Sequence, residues 1–412
     1  MTLLDRYAPV AGEDAISQLR QLGEHLRGRK VVHVNSTRVG GGVAEILAKL
    51  VPLKRELGID ATWEVIEGDG DFYTTTKTMH NALQGASSSI SKEQLAGYES
   101  TNSRNARVLS DKLADADFVF IHDPQPAPLL GLTPGRRGKW VWRCHIDVSR
   151  PNRHVWQYLR RFVSDYDASI FSLAAFSQEL PHTQYVIPPS IDPLADKNVP
   201  LDDPKMQSVC EEFGLDPERE MIVQVSRFDR FKDPVGVIRA YRLAKKFSPG
   251  LQLVLAGGGA TDDPEGDAVL AETREAAGDD ADIHVLVLPP DAHVKINALQ
   301  RLADVVLQKS TREGFGLTVA EAMWKGKPVI GGDVGGIRLQ VVNHHTGFLV
   351  STPEGAAMRI RYLLHHPGIL RNMGEKARLL VRNNFLLTRH LREYLTVMVS
   401  LLHETGDRIE LS

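Results

Sequence analysis

Two successive series of short apolar segments, alternating with amphipathic stretches, constrain this chain more than any other feature, because parallel α/β sheets are built from such alternation. In the first series strands are expected at residues 31–35, 62–66, 118–122, 140–145 and 169–173, with helices near 43–57, 92–113 and 153–165. Pro188-Pro189-Ser190-Ile191-Asp192-Pro193 then interrupts every periodic pattern, since proline removes an amide donor and clashes inside helices. The second series predicts strands at 221–226, 252–256, 283–286, 305–307 and 328–330. A length of 412 residues suits about two or three domains of roughly 150 residues each. The expectation is an α/β chain with two Rossmann-like domains, 1–190 and 191–386, whose parallel sheets face a cleft, followed by a last helical stretch over 387–402.

Composition removes several classes. A net charge of −3 gives no basic face for a nucleic acid, so any phosphate binding must come from local placement. Cys144 and Cys210 cannot build a disulfide framework or a cysteine-rich zinc site, which fits a reducing compartment. Met1-Thr2-Leu3-Leu4-Asp5 lacks the basic start and apolar core of a signal peptide, and no stretch approaches the ~18 apolar residues of a membrane span. A cytoplasmic protein without nucleic-acid or membrane partners is therefore expected.

The densest chemistry lies at Arg312-Glu313-Gly314-Phe315-Gly316-Leu317-Thr318-Val319-Ala320-Glu321. An apolar strand precedes it, so residues 309–316 form a strand-to-helix loop opening a helix over 317–325, and such loops hold ligands in parallel sheets. Gly314 and Gly316 permit close backbone approach, and the first helical amides face an anion. Thr318-Val319-Ala320-Glu321 also fits a capping box, which leaves Glu321 open between a structural and a binding role.

Two cations accompany this loop. Arg227 and Lys232 follow the strand at 221–226, where a fork of guanidinium donors and a compact ammonium suit a diphosphate. Asp233 follows Lys232 and is expected either beside the phosphate site or as the N-cap of a helix from Pro234. Each half carries a triple glycine after a strand, Gly40-Gly41-Gly42 and Gly257-Gly258-Gly259. The first is not a dinucleotide fingerprint, because Glu45 stands where the third glycine belongs, and this disfavours a dehydrogenase. It remains a flexible loop before a helix start near Val43.

The first half offers sugar-reading groups at two strand ends: His122-Asp123-Pro124-Gln125-Pro126 and Trp142 through Asn152, which includes His145 and Asp147. Paired donors and acceptors discriminate strongly between hydroxyl patterns. His145 and Asp147 supply only two ligands, too few for a metal centre.

The stretch from Glu313 to Glu321 resembles the E-x7-E motif of retaining nucleotide-sugar glycosyltransferases with the two-domain GT-B fold, of the family 4 type. Val34-Asn35-Ser36-Thr37, Gly40 to Glu45, Thr78 to Gly85, His122 to Pro126, Trp142 to Asp147 and Pro188 to Pro193 look like the trehalose glycosyltransferring synthase family; the likeness covers about residues 30–400. That resemblance implies transfer of glucose from a UDP-, ADP- or GDP-linked donor to free glucose, giving trehalose reversibly with retention. It implies an acceptor-side domain over 1–190, a nucleotide-sugar domain over 191–386, and a C-terminal helix, 387–412, crossing back to the first domain. It further implies catalytic roles for Glu313, Arg227, Lys232 and His145, and donor contacts from Gly41, Gly42, Arg227, Lys232, Gly314, Phe315, Gly316, Leu317 and Glu321. Acceptor contacts would come from His145, Asp147, Asn152, His122, Asp123 and Gln125. No tightly bound cofactor is expected; a role for Mg2+ and assembly as a homodimer stay open. Trehalose phosphorylases share much of the pattern and are the main competing reading, ahead of a non-catalytic sugar-nucleotide binder.

Overall fold

A computed structural model describes residues 1–38, 42–258 and 264–403. The chain divides into two compact units, one of Met1–Ser190 with the segment from Leu387, the other of Ile191–Leu386.

The first unit is built on six parallel strands, β1 (Lys30–Asn35), β2 (Asp60–Val65), β3 (Phe118–His122), β4 (Lys139–Cys144), β5 (Ala168–Phe171) and β6 (Thr183–Val186), in the order β2-β1-β3-β4-β5-β6. All five residues of β3 are buried, as expected of a central parallel strand covered on both faces. β6 was not foreseen from the sequence, because its Thr-Gln-Tyr-Val run is polar and no residue of it is fully buried. β2 begins at Asp60 rather than 62, its first residues being pulled into register by pairing with Lys30 and Val31. Helix Leu387–His403 buries Leu391, Tyr394, Leu395 and Met398 in this unit. Arg389 ties it to the chain crossover by donating to the carbonyls of Pro188 and Pro189, both at 2.9 Å.

The second unit repeats the plan with β7 (Met221–Val225), β8 (Gln252–Gly257), β9 (Ile283–Val287), β10 (Val305–Gln308), β11 (Val329–Gly332) and β12 (Gly347–Val350), in the order β12-β11-β10-β7-β8-β9. β11 runs two residues past the expected end. Gly331 and Gly332 extend the ladder by pairing with Leu349 and Val350, at positions where a Cβ would stand 2.4 Å from Ile337 and 2.0 Å from the Ser310 carbonyl and only glycine fits. β12 was also missed, being only a glycine and three apolar residues.

Strand order places the sites. In a doubly wound sheet the crevice opens beyond the carboxyl ends of the two strands where the winding reverses. That point lies between β1 and β3 in the first unit and between β7 and β10 in the second.

Candidate active site

The loops after β7 and β10 carry the expected donor residues of the second unit. Lys232 Nζ donates to Glu313 Oε2 at 2.6 Å, and Ser310 Oγ donates to the same oxygen at 3.1 Å. The Lys232 and Glu313 side chains are only 16% and 10% exposed, so the pair is shielded yet open on one side. Gln224, buried in β7, joins the two loops: its Nε2 donates to the Lys232 carbonyl at 3.0 Å and its Oε1 accepts from the Lys309 amide at 3.3 Å.

Asp233 resolves to the capping alternative. At φ +49 its Oδ1 accepts from Gly236 N at 3.0 Å and starts helix Pro234–Lys245, while its other oxygen pairs with the buried Lys309 ammonium. Arg227 is not drawn into the Lys232–Glu313 pair. Its side chain is 66% exposed and lies 3.5 Å from Asp229.

The 309–316 loop is clamped from behind by residues the sequence reading passed over. Gly335, at φ +41, brings its Cα so near that a Cβ would lie 1.8 Å from the Glu313 carbonyl, and Gly336 N donates to Gly314 O at 3.0 Å. Gln340 Nε2 donates to Phe315 O at 2.5 Å. The signal was a second glycine pair, Gly335-Gly336, separated by two residues from the end of β11. Gly316, at φ +82, is the N-cap of helix Leu317–Trp324, whose first amides accordingly have no side-chain cap. The capping box is therefore not formed: Thr318 Oγ1 donates to Gln308 Oε1 at 3.2 Å instead, and Glu321 points elsewhere. Glu321 is buried with Lys197 Nζ at 2.9 Å from its Oε1, a pair held by charge because the angle does not suit a hydrogen bond. Lys325, on the following turn, is pushed down to about 7 by burial, a cost partly offset by the Glu321 charge.

In the first unit β3 and β4 deliver His122, Asp123 and His145 to one place. His122 Nδ1 is 2.9 Å from His145 Nε2, and the rings stack with centroids 5.2 Å apart. Asp123 holds φ +63 and its Oδ1 accepts the His145 amide at 2.7 Å; burial raises its carboxyl to about 6. Burial also keeps His122 and His145 neutral, both held well below the ordinary histidine range, with Arg143 adding repulsion.

Two other expected acceptor residues, Asn152 and Asp147, make local structural hydrogen bonds. Asn152 is the N-cap of helix Arg153–Val163, its Oδ1 accepting from His154 N at 3.1 Å and its Nδ2 donating to Ser88 O at 3.4 Å, so its carboxamide is occupied at both ends. Asp147 Oδ1 accepts from Ser149 N at 2.9 Å, leaving its second oxygen available. Gln125 keeps a buried Oε1 without a hydrogen-bond partner. Gly42 opens helix Gly42–Glu56, and Gly41 lies outside the described residues. Among the described residues no group of three or more His, Cys, Asp or Glu is arranged to hold a metal ion, and no helix is long and apolar enough to cross a membrane.

Known proteins match both units. Residues 33–178 match a family described as trehalose synthase, N-terminal domain, and residues 208–380 match glycosyl transferases group 1. A trehalose synthase of Pyrococcus horikoshii is 48% identical over 402 residues, covering 97% of this chain and 96% of that protein. A trehalose phosphorylase of Pleurotus pulmonarius is 28% identical over 99% of this chain but only 62% of its own length. Among solved structures, a UDP-forming trehalose-phosphate synthase from Burkholderia xenovorans superposes with a TM-score of 0.73 at 16% identity, covering 92% of this chain and all of that one. The fold is that of the GT-B glycosyltransferases.

Proposed function

This chain belongs to the trehalose synthase family of glycosyltransferases, enzymes of trehalose-related glycosyl transfer, and from that premise we propose that it moves glucose from a nucleoside diphosphate glucose onto free glucose, reversibly and with retention. The observation that carries the reading is the Lys232–Glu313 pair at the winding reversal of the second unit, beside the uncapped amides of helix Leu317–Trp324. Lys232, the exposed Arg227 and those amides supply preorganised positive charge for a departing diphosphate. Glu313, neutralised by Lys232, then serves as an acceptor for donor-sugar hydroxyls rather than as a nucleophile. Glu321 holds the ribose.

Retaining hydrolases instead place two carboxyl groups about 5 Å apart. In this reading the new bond forms on the face that the leaving group vacates, and the departing diphosphate oxygen helps to accept the proton of the incoming hydroxyl. The second unit binds the nucleotide sugar; His145, Asp123 and the free Asp147 oxygen in the first unit read the glucose that receives the sugar. No resident cofactor takes part, and a divalent ion would act only as a partner of the diphosphate. The test is nucleotide release on mixing each nucleoside diphosphate glucose with glucose. Release that depends on glucose supports the proposal; glucose 1-phosphate formed from trehalose and phosphate supports phosphorolysis in its place.

A further inference from the structure

Four nitrogen bases form a line through the interior of the first unit. Lys54 Nζ is 2.7 Å from His33 Nε2, His33 Nδ1 is 3.0 Å from His122 Nε2, and His122 Nδ1 is 2.9 Å from His145 Nε2. They come from four elements: helix Gly42–Glu56, β1, β3 and the residue after β4. Lys54 and His33 are fully buried and His122 nearly so. His145 is half-buried, and its Nδ1 has no hydrogen-bond partner among the described residues. The line therefore ends in a buried amine on one side and in an open ring nitrogen, at the proposed acceptor site, on the other.

A row of neutral imidazoles has two self-consistent polarities, because each ring carries one N–H and one lone pair. With Lys54 as a neutral amine, each ring donates from Nε2 toward it and His145 Nδ1 is a bare acceptor. With Lys54 as an ammonium, each ring donates from Nδ1 away from it and His145 Nδ1 bears a proton. The surroundings accommodate either end state. Lys54 Nζ lies 4.9 Å from the Phe120 ring centroid and 5.1 Å from that of Tyr394, so aromatic faces flank the ammonium, and no carboxylate pairs with it among the described residues. Burial draws Lys54 down to about 7, which puts both charge states within reach near neutrality. The other charged or titratable groups facing the line are His390, Arg389 and Tyr394 from helix Leu387–His403, Arg143 from β4 and Asp123 after β3. A lysine needed only to fill space would not require a row of three hydrogen-bonded histidines behind it.

We propose that Lys54, His33 and His122 form a proton wire by which His145 exchanges one proton with the bound sugar hydroxyl while its own ring stays neutral. This rests on the reading that His145 faces the acceptor sugar. In the forward step the hydroxyl O–H breaks as its oxygen bonds to the anomeric carbon, and the departing diphosphate takes the electron pair of the broken C–O bond. The proton, first shared with the departing diphosphate oxygen, goes to His145 Nδ1. His145 passes its Nε2 proton to His122 Nδ1, His122 passes its own to His33 Nδ1, and His33 passes its own to the Lys54 amine. One N–H is gained at each end, all three rings exchange tautomer, and the positive charge resides on Lys54. The same path run backwards hands the proton to the diphosphate or to water.

Lys54→Met keeps the volume between the two rings and removes the terminal base; His33→Gln breaks the line in the middle and serves if the first variant does not fold. Either variant is expected to lose at least tenfold in kcat at unchanged KM for glucose, within the range usual for acid–base groups. Nitrogen NMR of labelled histidines supplies the readout that packing alone would not move. In the wild type His33, His122 and His145 should exchange tautomer together with a single midpoint near neutrality, and in Lys54→Met they should hold one tautomer throughout. Separate midpoints, or unchanged kcat in a folded variant of an enzyme that does transfer glucose, overturn the wire. Absence of glucose transfer by the wild type overturns the proposed function instead, and the NMR titration then decides the wire by itself.

Discussion

Lys232 Nζ and Glu313 Oε2, 81 residues apart in sequence, meet at 2.6 Å where the loops after β7 and β10 converge. Two mostly buried charges held this way neutralise each other, so removing one leaves the other exposed to a low dielectric. Lys232→Ala is expected to cost about 3 kcal/mol of stability and roughly a hundredfold to a thousandfold in turnover. Glu313→Ala placed on top should return part of the stability and none of the rate. Urea unfolding and nucleotide-release assays on the two single variants and the double variant measure both; additive stability losses would show that the pair is not coupled.

Arg227 should behave differently, since its side chain is 66% exposed. Arg227→Ala is expected to change stability by less than about 0.5 kcal/mol while lowering turnover about a hundredfold. Near-normal turnover would remove Arg227 from the leaving-group site.

Gly335→Ala tests the clamp behind the 309–316 loop. With φ at +41 and a Cβ that would sit 1.8 Å from the Glu313 carbonyl, the loop must move or the turn must strain, costing about 1–3 kcal/mol. Donor affinity, read by calorimetric titration with the nucleoside diphosphate, should weaken although the protein still folds. Unchanged affinity would mean that the loop position does not govern donor binding.

The β-strands of both series were legible because central parallel strands are nearly continuous apolar runs, as in Phe118 to His122. Edge strands β6 and β12 were not: β6 is a polar, half-exposed run, and β12 is only a glycine and three apolar residues, too short to show a period. Within the site, glycines and charges at strand ends disclosed the 309–316 loop, yet Gln224 and Gln340 escaped notice because a lone glutamine in an apolar run has no signature. Lys54 was visible in principle: it follows Leu50, Val51 and Leu53 on the buried stripe of an amphipathic helix, where a charge is out of place. The capping role of Asn152 was not legible, because a residue preceding a helix serves equally well as a cap or a ligand group.

Glu321→Ala should act on nucleotide binding. The carboxylate is buried beside Lys197 and near Lys325, so its loss leaves two cations with less compensation and, on the proposed reading, removes the acceptor for the ribose hydroxyls. UDP or ADP affinity is expected to fall about tenfold or more, one charge-assisted hydrogen bond being worth roughly 1.5–3 kcal/mol. An unchanged titration would contradict the ribose assignment.

Stability should carry the signature of Lys54. The unfolded chain keeps that proton up to about pH 10.4, whereas the folded chain releases it near 7. Between those limits the unfolded state binds more protons, so the wild type gains stability as pH rises. The stability of Lys54→Met relative to wild type should thus fall by about 1.4 kcal/mol per pH unit from pH 7 toward 10. A difference that stays flat across this window would place the titration of Lys54 elsewhere.

Product analysis separates glucose transfer from phosphorolysis and from binding alone: UDP-, ADP- and GDP-glucose are each incubated with glucose, with glucose and phosphate, or alone, and the sugars and nucleotides are resolved. Trehalose and free nucleoside diphosphate are expected in equal amounts, dependent on glucose and indifferent to phosphate. Glucose 1-phosphate from trehalose and phosphate, or nucleotide bound with no trehalose from any donor, would contradict glucose transfer.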